Sequence, residues 1–418
     1  MIHSITTSIG HFCKKSASEL GIADVAIDVI EDVNLVRPED WGCVVDGGHR
    51  FLCLDYLRGL QNSHDDGLEL RYVIFRRKEA VVGVAAFQIT HFTTSEDAYS
   101  GWFLKSVNHV AEFIRGKHVH NILICGNAIA TGEHGFSFIP GFSDSEMAVL
   151  IASAMRIIAE REGKKGKRIC AMVAKDYYPD SVGFARELTK ARFRTFQVDH
   201  NMVMPLLPEW KSFDNYLSDL NTKFRTKAKA AMNKSAELEI INGIPEEVEA
   251  LMPELQKLYD NVHSKADFRL GKLNLKALSE LLKELPSHFT VRLYKHDGKV
   301  VGFMSAMRCG DVMEAHVIGI DYNKNRDFAV YQRMLYDYID LAIRTNCRRI
   351  VFGRTAAEIK STVGAFPVDL TCCVLHRRKV SNALLSLILQ YIKPSEYPQR
   401  DPYKADVLER IQKIPLYD

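Results

Sequence analysis

Two β-hairpin patterns, one in each half of the chain, place the strongest constraint on its fold. Residues 69–92 and 289–321 each contain strand-like runs of Val, Ile, Phe and Tyr around a charged turn. The second turn carries Asp297 and Gly298, a strong hairpin signal because glycine accepts the positive φ of tight turns. After each turn the motif Val-Val-Gly follows, at 81–83 and again at 300–302. The pattern therefore predicts one structural unit that occurs twice.

The elements after the two hairpins come in the same order. In the first half we predict a strand, a Gly-rich loop, a helix, a strand, a helix and a strand, over residues 121–129, 130–143, 144–161, 168–176, 181–193 and 194–206. In the second half the matching strands and helices cover residues 313–321, 327–346, 348–354, 356–364 and 368–378. This order predicts a mixed α/β fold with two tandem domains, 1–207 and 208–418. The spacing also requires an insertion in the first copy, which we place at Thr93 to His118.

Composition agrees with a globular protein of two domains. The 418 residues are 47% hydrophobic and 26% charged, and the net charge of +3 excludes a strongly polybasic nucleic-acid protein, although not a local basic patch. Nine cysteines without a CxxC pair indicate buried thiols in a reducing compartment, with no metal site. The start of the chain has no apolar core of signal-peptide length, and no run of ~18 apolar residues occurs. We therefore expect a cytoplasmic protein that is not integral to a membrane.

A resemblance to a known family rests on this element order and on three stretches. They are FLCLDYLRGL at 51–60, the junction segment at 210–240, and FGRTAAEIKSTVGA at 352–365. The chain resembles the GNAT acyltransferases, in the duplicated form of the Fem-type peptidyl and aminoacyl transferases and related bacterial proteins. Lys360 and Gly364 match a Lys and a Gly that those relatives carry in the last stretch. The resemblance implies an N-acyltransferase that takes an acyl or aminoacyl group from acyl-CoA, or from aminoacyl-tRNA, to an amine acceptor such as a cell-envelope precursor.

The junction segment predicts a binding groove for an anionic substrate. On a helix, its apolar residues from Leu217 to Ala231 form one stripe. Cations flank the stripe on both sides: Lys223, Lys227 and Lys234 on one, Arg225 and Lys229 on the other. No Asp or Glu occurs from Asn221 to Ala236, so these cations have no partners within their own helix. A phosphate-bearing ligand would supply the missing anionic partners. The alternative interpretation is that the cations form a solvated helix face.

The resemblance also implies where the acyl donor binds. It places the donor beside the strand residues Val317, Ile318, Gly319 and Ile320, with its phosphates near Arg326 and the start of the following helix. Amides at a helix start stabilise negative charge, which makes this arrangement physically sound. The sequence departs from the family phosphate loop, because Ala329 and the bulky Tyr331 occupy its small-residue positions.

Acyl transfer to an amine requires a base, oxyanion stabilisation and a proton for the leaving group. Glu314 and His316 alternate on the strand that would line the cleft, which makes them the candidate base and relay, with Tyr322 as a further proton donor. Lys360 is expected at the mouth of the cleft, where its ammonium would bind a donor phosphate or stabilise charge on the acyl oxygen. Arg354, at the end of the preceding strand, would face the same crevice. Structural or surface roles are the alternative for each of these side chains.

Two further segments carry hypotheses. The loop with Gly126, Asn127, Thr131 and Gly132 is a second candidate site, or simply a loop built on glycines. The apolar C-terminal helix from Val380 predicts core packing, with a dimer contact or docking on a membrane surface as alternatives.

Other mechanisms lack their sequence signs. The chain has no dinucleotide or P-loop glycine motif, no HExxH and no GxSxG. The competing hypothesis to a transferase is a non-catalytic protein that uses the fold to recognise an anionic envelope precursor or nucleic acid. The oligomeric state stays open.

Overall fold

The computed structural model describes residues 14–63, 67–92, 120–265, 271–392 and 394–417. The strands are β1 (Val25–Ile30), β2 (Leu68–Arg77), β3 (Ala80–Phe92), β4 (His120–Cys125), β5 (Phe136–Phe138), β6 (Ile169–Tyr177), β7 (Arg194–Gln197), β8 (Asn201–Pro205), β9 (Glu239–Asn242), β10 (Phe289–His296), β11 (Lys299–Cys309), β12 (Val312–Ile320), β13 (Arg349–Gly353), β14 (Phe366–Val368) and β15 (Thr371–His376). The helices are α1 (Lys14–Glu19), α2 (Pro38–Gly42), α3 (Leu54–Asn62), α4 (Asp144–Lys164), α5 (Val182–Lys190), α6 (Phe213–Asp219), α7 (Thr222–Lys234), α8 (Pro245–Ala250), α9 (Met252–His263), α10 (Lys276–Glu284), α11 (Tyr322–Phe328), α12 (Val330–Arg344), α13 (Ala357–Ser361), α14 (Lys379–Leu389) and α15 (Ala405–Ile411). The predicted insertion, Thr93 to His118, lies outside the described residues.

Two mixed sheets organise these elements, which confirms the predicted α/β class. The first sheet has the order β1-β2-β3-β4-β6-β15-β7, with β5 added to β3. The second has the order β14-β8-β13-β12-β11-β10-β9. In each sheet one long helix, α4 or α12, contributes its apolar face to a core cluster with the strands. Most neighbouring strands are antiparallel, while the pairs β4–β6 and β12–β13 are parallel.

The two hairpins share an irregularity as well as a sequence motif. In the β2–β3 pair, Phe75 faces Gly83 and the register then shifts by one residue. In the β10–β11 pair, Tyr294 faces Gly302 and the register shifts at the same place. A side chain at Gly302 would lie 2.7 Å from the Met334 terminal carbon, so the glycine lets α12 approach the sheet closely. The shared bulge supports the prediction that one unit occurs twice.

The chain separates into two compact units that are discontinuous in sequence. The first comprises residues 1–198, 267–273 and 369–394, and the second comprises 199–266, 274–368 and 395–418. Their limits differ from the predicted halves, 1–207 and 208–418. The limits of the two independently folding domains remain a prediction.

The difference arises because one predicted strand is split between the sheets and another joins the sheet of the other half. The predicted strand 194–206 forms β7 in the first sheet and β8 in the second. The predicted strand 368–378 includes β15, which lies between β6 and β7 in the first sheet, while β14 pairs with β8 in the second. Each sheet therefore contains a strand from the other half of the sequence. Periodicity could not reveal this exchange, because a strand has the same period whichever sheet it joins.

Two predicted helices are also interrupted. The predicted helix 327–346 breaks at Ala329, whose φ of +50° cannot continue a right-handed helix. The junction segment forms α6 and α7 around Leu220, which is extended and bridges to Tyr403. Within the described ranges, no helix is both long and apolar enough to cross a membrane.

Candidate active site

The second sheet has a fork between β12 and β13. These parallel strands pair only from Val312 with Arg349 to Glu314 with Val351. Strand β12 continues to Ile320, without further pairing to β13. The backbone of β12 after Glu314 therefore has no strand partner on the β13 side, while the Ile320 carbonyl accepts from the Asn261 side chain at 3.1 Å. Val317, Ile318, Gly319 and Ile320, the predicted donor-binding residues, all lie on this part of the strand.

Ser305 holds a β-bulge on the other edge of β12. The Val317 amide donates to the Ser305 hydroxyl at 3.0 Å, and that hydroxyl is 3.1 Å from the Val317 carbonyl oxygen. The Nδ1 atom of His316 lies 3.3 Å from the same hydroxyl. Burial lowers the pKa of His316 to about 4, so its imidazole is neutral near pH 7. The sequence offered no sign of Ser305, since its role depends on a register shift in a neighbouring strand.

Glu314 is the last paired residue before the fork. Its side chain is buried, and it makes no hydrogen bond or ion pair within the described part of the chain. Burial raises the pKa of Glu314 to about 8, and the positive charge of Arg349 opposes this shift only in part. A carboxyl group with this pKa takes up and releases a proton near physiological pH, as a general base for an amine must.

Glu314 and His316 share one face of the sheet, as predicted. Glu314 lies opposite Met307 on β11, and His316 contacts Ser305, two residues from Met307 along that strand. Residues on the opposite face of β12, including Met313, pack in the core cluster with α12.

Lys360 lies elsewhere than its predicted role requires. Its side chain is buried, and its ammonium donates to the carbonyl oxygens of Phe352, Gly353 and Arg354 at 2.8, 3.1 and 2.5 Å. Burial lowers the pKa of Lys360 to about 7, while the three carbonyl acceptors oppose the shift because only the ammonium form has three donors. All three protons are thus directed at the end of β13. This geometry argues against the expected contact with a donor phosphate.

The segment that Lys360 holds has unusual backbone angles. Gly353, Thr355 and Ala356 have φ values of +71°, +66° and +49°. A positive φ is strained for alanine and more so for β-branched threonine. The ammonium of Lys360 offsets this strain, because it donates hydrogen bonds to three carbonyl groups at the start of the turn. Arg354 also serves the turn, because its Nε donates to the Asp199 carbonyl at 3.2 Å.

The expected phosphate site at the start of α12 is partly occupied by the protein. The Asn325 side chain accepts from the Tyr331 amide at 2.8 Å, and Tyr331 is itself largely buried. Asp321 caps the short helix α11 in the same way, accepting from the Asn323 amide. Arg326 is exposed on α11. The amides that would bind a pyrophosphate in the predicted manner are therefore partly occupied, which agrees with the departure seen in the sequence.

Tyr322 lies at the start of α11 and is partly exposed. The ammonium of Lys265 is 3.4 Å from the centre of its ring, a cation–π contact. Burial raises the pKa of Tyr322 above its ordinary value, so its hydroxyl keeps its proton near pH 7. Its proposed part as a proton donor stays a prediction.

A cavity of about 320 Å³ lies beside the basic helix α7. Its lining combines side chains from three helices: Phe224, Lys227, Gln332, Tyr336, Glu358, Ile359 and Thr362. The ammonium groups of Lys223 and Lys227 lie 5.7 and 5.8 Å from the centre of the Phe224 ring. The sequence pattern had indicated Phe224 and Lys227 as groove residues. It gave no indication that side chains of α12 and α13 would line the same cavity.

The cations of α7 stay without acidic partners in the folded protein. Lys223, Lys227 and Lys229 are exposed, and Arg225 is half-buried. None of these four forms an ion pair with any described residue. Glu358, the carboxylate in the cavity lining, is instead paired with Arg400 at 2.7 Å. The α7 surface is thus a concentration of positive charge next to a cavity, as the groove hypothesis expects.

The second candidate loop, in the first unit, has a closed hydrogen-bond network. The Asn127 side chain accepts from the amides of Ile129 and Ala130 at 2.9 and 3.0 Å. The buried ammonium of Lys175 donates to the Asn127 and Ala130 carbonyls at 2.7 and 2.8 Å. It also forms a buried ion pair with Asp176. These contacts favour the loop-forming alternative.

The rest of this loop is built in the same way. The Gly132 amide donates to Asp176 at 3.3 Å, and the Thr131 carbonyl contacts His134 at 3.1 Å. A side chain at Gly126, where φ is +124°, would collide with Lys175. In this unit β4 pairs with β6 up to its last residue, Cys125, so no fork opens between them. The fork and the cavity therefore belong to the second unit.

These observations define a class of protein: an α/β fold with a forked parallel strand pair, a buried carboxyl group at the fork and a cationic helix nearby. Residues 222–361 match the family model described as an acetyltransferase (GNAT) domain. Over these residues, from the start of α7 to the end of α13, the chain is similar to that family. The predicted resemblance to GNAT acyltransferases is confirmed over these residues.

Comparison with solved structures gives weaker likenesses. The chain is similar to FemX, with 11% identity and a TM-score of 0.49, over 82% of this chain and 98% of that one. It is similar to a tandem GNAT protein from the clavulanic acid biosynthesis pathway, with 9% identity and a TM-score of 0.47, over 84% and 98%. It is also similar to L-PGS from Bacillus licheniformis, with 11% identity and a TM-score of 0.44, over 83% of this chain and 95% of that one. No curated protein sequence matches the chain.

Proposed function

We propose that the second unit is an N-acyltransferase that moves an acyl group from a phosphorylated carrier to an amine. The observation that carries the proposal is the fork between β12 and β13, which begins at the buried Glu314. An amine attacking an acyl group must lose a proton, and Glu314 has the raised pKa that suits a base near neutral pH. The GNAT match over residues 222–361 supports the same reaction class.

The carrier is proposed to bind along α7. Phosphate groups would supply the anionic partners that Lys223, Arg225, Lys227 and Lys229 lack among the described residues. The cavity of about 320 Å³ beside Phe224 is at the lower end of the range for small-molecule sites. Acyl-CoA is the first candidate and aminoacyl-tRNA the second, since both carry phosphate groups and an activated acyl group in one molecule. The amine acceptor is proposed to be a cell-envelope precursor.

The described residues contain no group of three or more His, Cys, Asp or Glu side chains that could hold a metal ion. The proposed chemistry uses the protein's own groups: Glu314 accepts the amine proton, and the part of β12 that does not pair with β13 positions the acyl carrier. Ser305 positions the β12 backbone at the bulge.

The test is binding and turnover with defined donors. We expect acetyl-CoA, a longer acyl-CoA or charged tRNA to bind in calorimetry, and the productive donor to release thiol or uncharged tRNA when an amine is added. Absence of binding to all three at millimolar concentration would leave the proposal without a donor.

Reversing the charges that flank the cavity is expected to weaken donor binding. The double variant Lys223→Glu, Lys227→Glu removes both ammonium groups beside Phe224, and we expect the Kd of the donor to rise at least tenfold, about 1.4 kcal/mol. The comparison variant is Arg225→Glu, Lys229→Glu, which changes the charge equally on the other side of α7; because neither residue lines the cavity, we expect a smaller rise in Kd. Calorimetry at two salt concentrations measures both variants. An equal loss of donor affinity in the two double variants would mean that the helix attracts the ligand only through its total charge.

A non-catalytic binding protein is the second candidate, because Asn325 already occupies the Tyr331 amide at the start of α12. Such a protein would recognise an anionic envelope precursor or nucleic acid through the same α7 cations. It predicts ligand binding without turnover, and no difference in turnover between the wild type and Glu314→Gln. Thiol release above that of the variant would exclude it.

A further inference from the structure

Helix α14 in the first unit exposes an apolar stripe. Eight large hydrophobic side chains are exposed in the described part of the chain, and four of them lie within twelve residues here. Val380, Leu384, Leu387 and Tyr391 are 69%, 41%, 58% and 69% exposed. At 100° per residue, Val380, Leu384 and Leu387 fall within about 60° of one another around the helix axis. A single narrow face of the helix therefore carries these three, and Tyr391 follows two residues after the helix ends.

The opposite face of α14 is fixed to the protein. Leu389 is buried, and so is Asn382. The Asn382 side chain accepts from the His376 amide at 2.9 Å and donates to the Arg192 carbonyl at 3.0 Å. The helix is thus held in place, and its outward face stays apolar. The predicted core packing holds for one face of this helix only.

Cations surround the start of the stripe. Arg377, Arg378 and Lys379 are consecutive and exposed, and none forms an ion pair with a described residue. The sequence has no Asp or Glu from Leu370 to Ser395. The edge of the apolar face is therefore purely cationic, which is the pattern of a helix that lies in the interface of an anionic membrane.

A basic cavity adjoins the same helix. It has a volume of about 230 Å³, and its lining includes the guanidinium-bearing Arg156, Arg192 and Arg377, together with His376 and a single carboxylate, Glu160. His376 and Arg192 are the residues that Asn382 ties to α14. Three guanidinium groups against one carboxylate suit a phosphate group, which arginine binds through two parallel hydrogen bonds.

We propose that this face of the first unit docks on a membrane surface containing anionic phospholipids. The stripe from Val380 to Tyr391 enters the boundary between headgroups and acyl chains, and Arg377, Arg378 and Lys379 meet the headgroup phosphates. The cavity beside Arg192 takes one headgroup. The proposal goes beyond acyl transfer and uses none of the residues assigned to it.

The test is sedimentation of the full chain with lipid vesicles. We expect at least tenfold stronger binding to vesicles of phosphatidylcholine with one quarter phosphatidylglycerol than to phosphatidylcholine alone, with a loss at high salt. Leu387→Glu is expected to weaken binding at least tenfold. Leu35→Glu is the matched control, because Leu35 is 61% exposed elsewhere in the first unit and should leave binding unchanged. The double variant Arg377→Glu, Arg378→Glu is expected to abolish the preference for anionic vesicles.

Three outcomes would overturn the proposal. The first is no sedimentation of the wild type with either vesicle. The second is equal weakening by Leu387→Glu and Leu35→Glu. The third is self-association in sedimentation velocity, without vesicle binding, that Leu387→Glu abolishes; the stripe would then bind a second copy of the chain. Donor binding measured on the same variants separates this test from that of the proposed function, because we expect it to be unchanged.

Discussion

Replacing Lys360 with methionine is expected to lower the free energy of unfolding of the protein by about 3 kcal/mol. Methionine has a similar length but no donors, so the carbonyls of Phe352, Gly353 and Arg354 would lose the ammonium they share. A buried acceptor left without a donor costs about 1 to 3 kcal/mol. The turn at Thr355 and Ala356, with positive φ at both residues, would also lose its main support.

The measurement is thermal and urea unfolding of the variant against Lys299→Met, an exposed lysine on the second hairpin. We expect the control to unfold like the wild type. If Lys360→Met unfolded at the wild-type temperature but lost donor binding or turnover, the ammonium would act on the ligand, as the sequence had suggested, and the structural role would be wrong.

Replacing Glu314 with glutamine is expected to lower turnover by about 10² to 10⁴, the usual contribution of a general base. A base must be ionised, so the turnover of the wild type should rise with pH until it levels off above about 8, the pKa of Glu314. The variant should lose this rise. The pH profile of turnover with the productive donor measures both effects.

The same substitution has an effect on stability with the opposite sign. The pKa of Glu314 is raised from 4.5 to about 8 in the folded state, so folding favours its protonated form. The wild type therefore loses stability as the pH rises from about 4.5 through 8, by an upper limit of roughly 4 to 5 kcal/mol at about 1.4 kcal/mol per pKa unit. Glutamine does not ionise, so Glu314→Gln should be the more stable protein above pH 8.

Unfolding at pH 5 and pH 9 measures this difference without any substrate. The matched control is Glu254→Gln, the same change at an exposed position on α9. A wild type and a Glu314→Gln variant with the same pH dependence of stability would show that Glu314 is not buried in its neutral form. The raised pKa that supports Glu314 as the general base would then be wrong.

Much of the second unit follows from local patterns in the sequence. The hairpin at Asp297 and Gly298 forms as predicted, with φ of +50° and +72° at the two residues. Strand β12 covers the predicted stretch almost residue for residue. The stripe and the cations of α7 also follow from the sequence alone, since they depend only on the helical period.

The side chains around the site were less predictable. Glu314 could be placed on a face of β12, but its burial depends on helices and strands distant in sequence. Lys360 was expected to point into the cleft, yet it turns back on its own strand, because a buried ammonium requires acceptors and the strained turn supplies three. Asn325 gave no sign that it would accept from the Tyr331 amide, six residues further on.

By itself, the sequence determined that one α/β unit occurs twice and that the cations of α7 have no acidic partners within their own helix. Both properties arise from periods of two and 3.6 residues, which act between near neighbours. Only the tertiary structure decided that β8 and β15 join the sheet of the other half, and that the parallel strands separate after Glu314. Contacts between residues far apart in the chain determine which strands pair, and local sequence patterns do not contain this information.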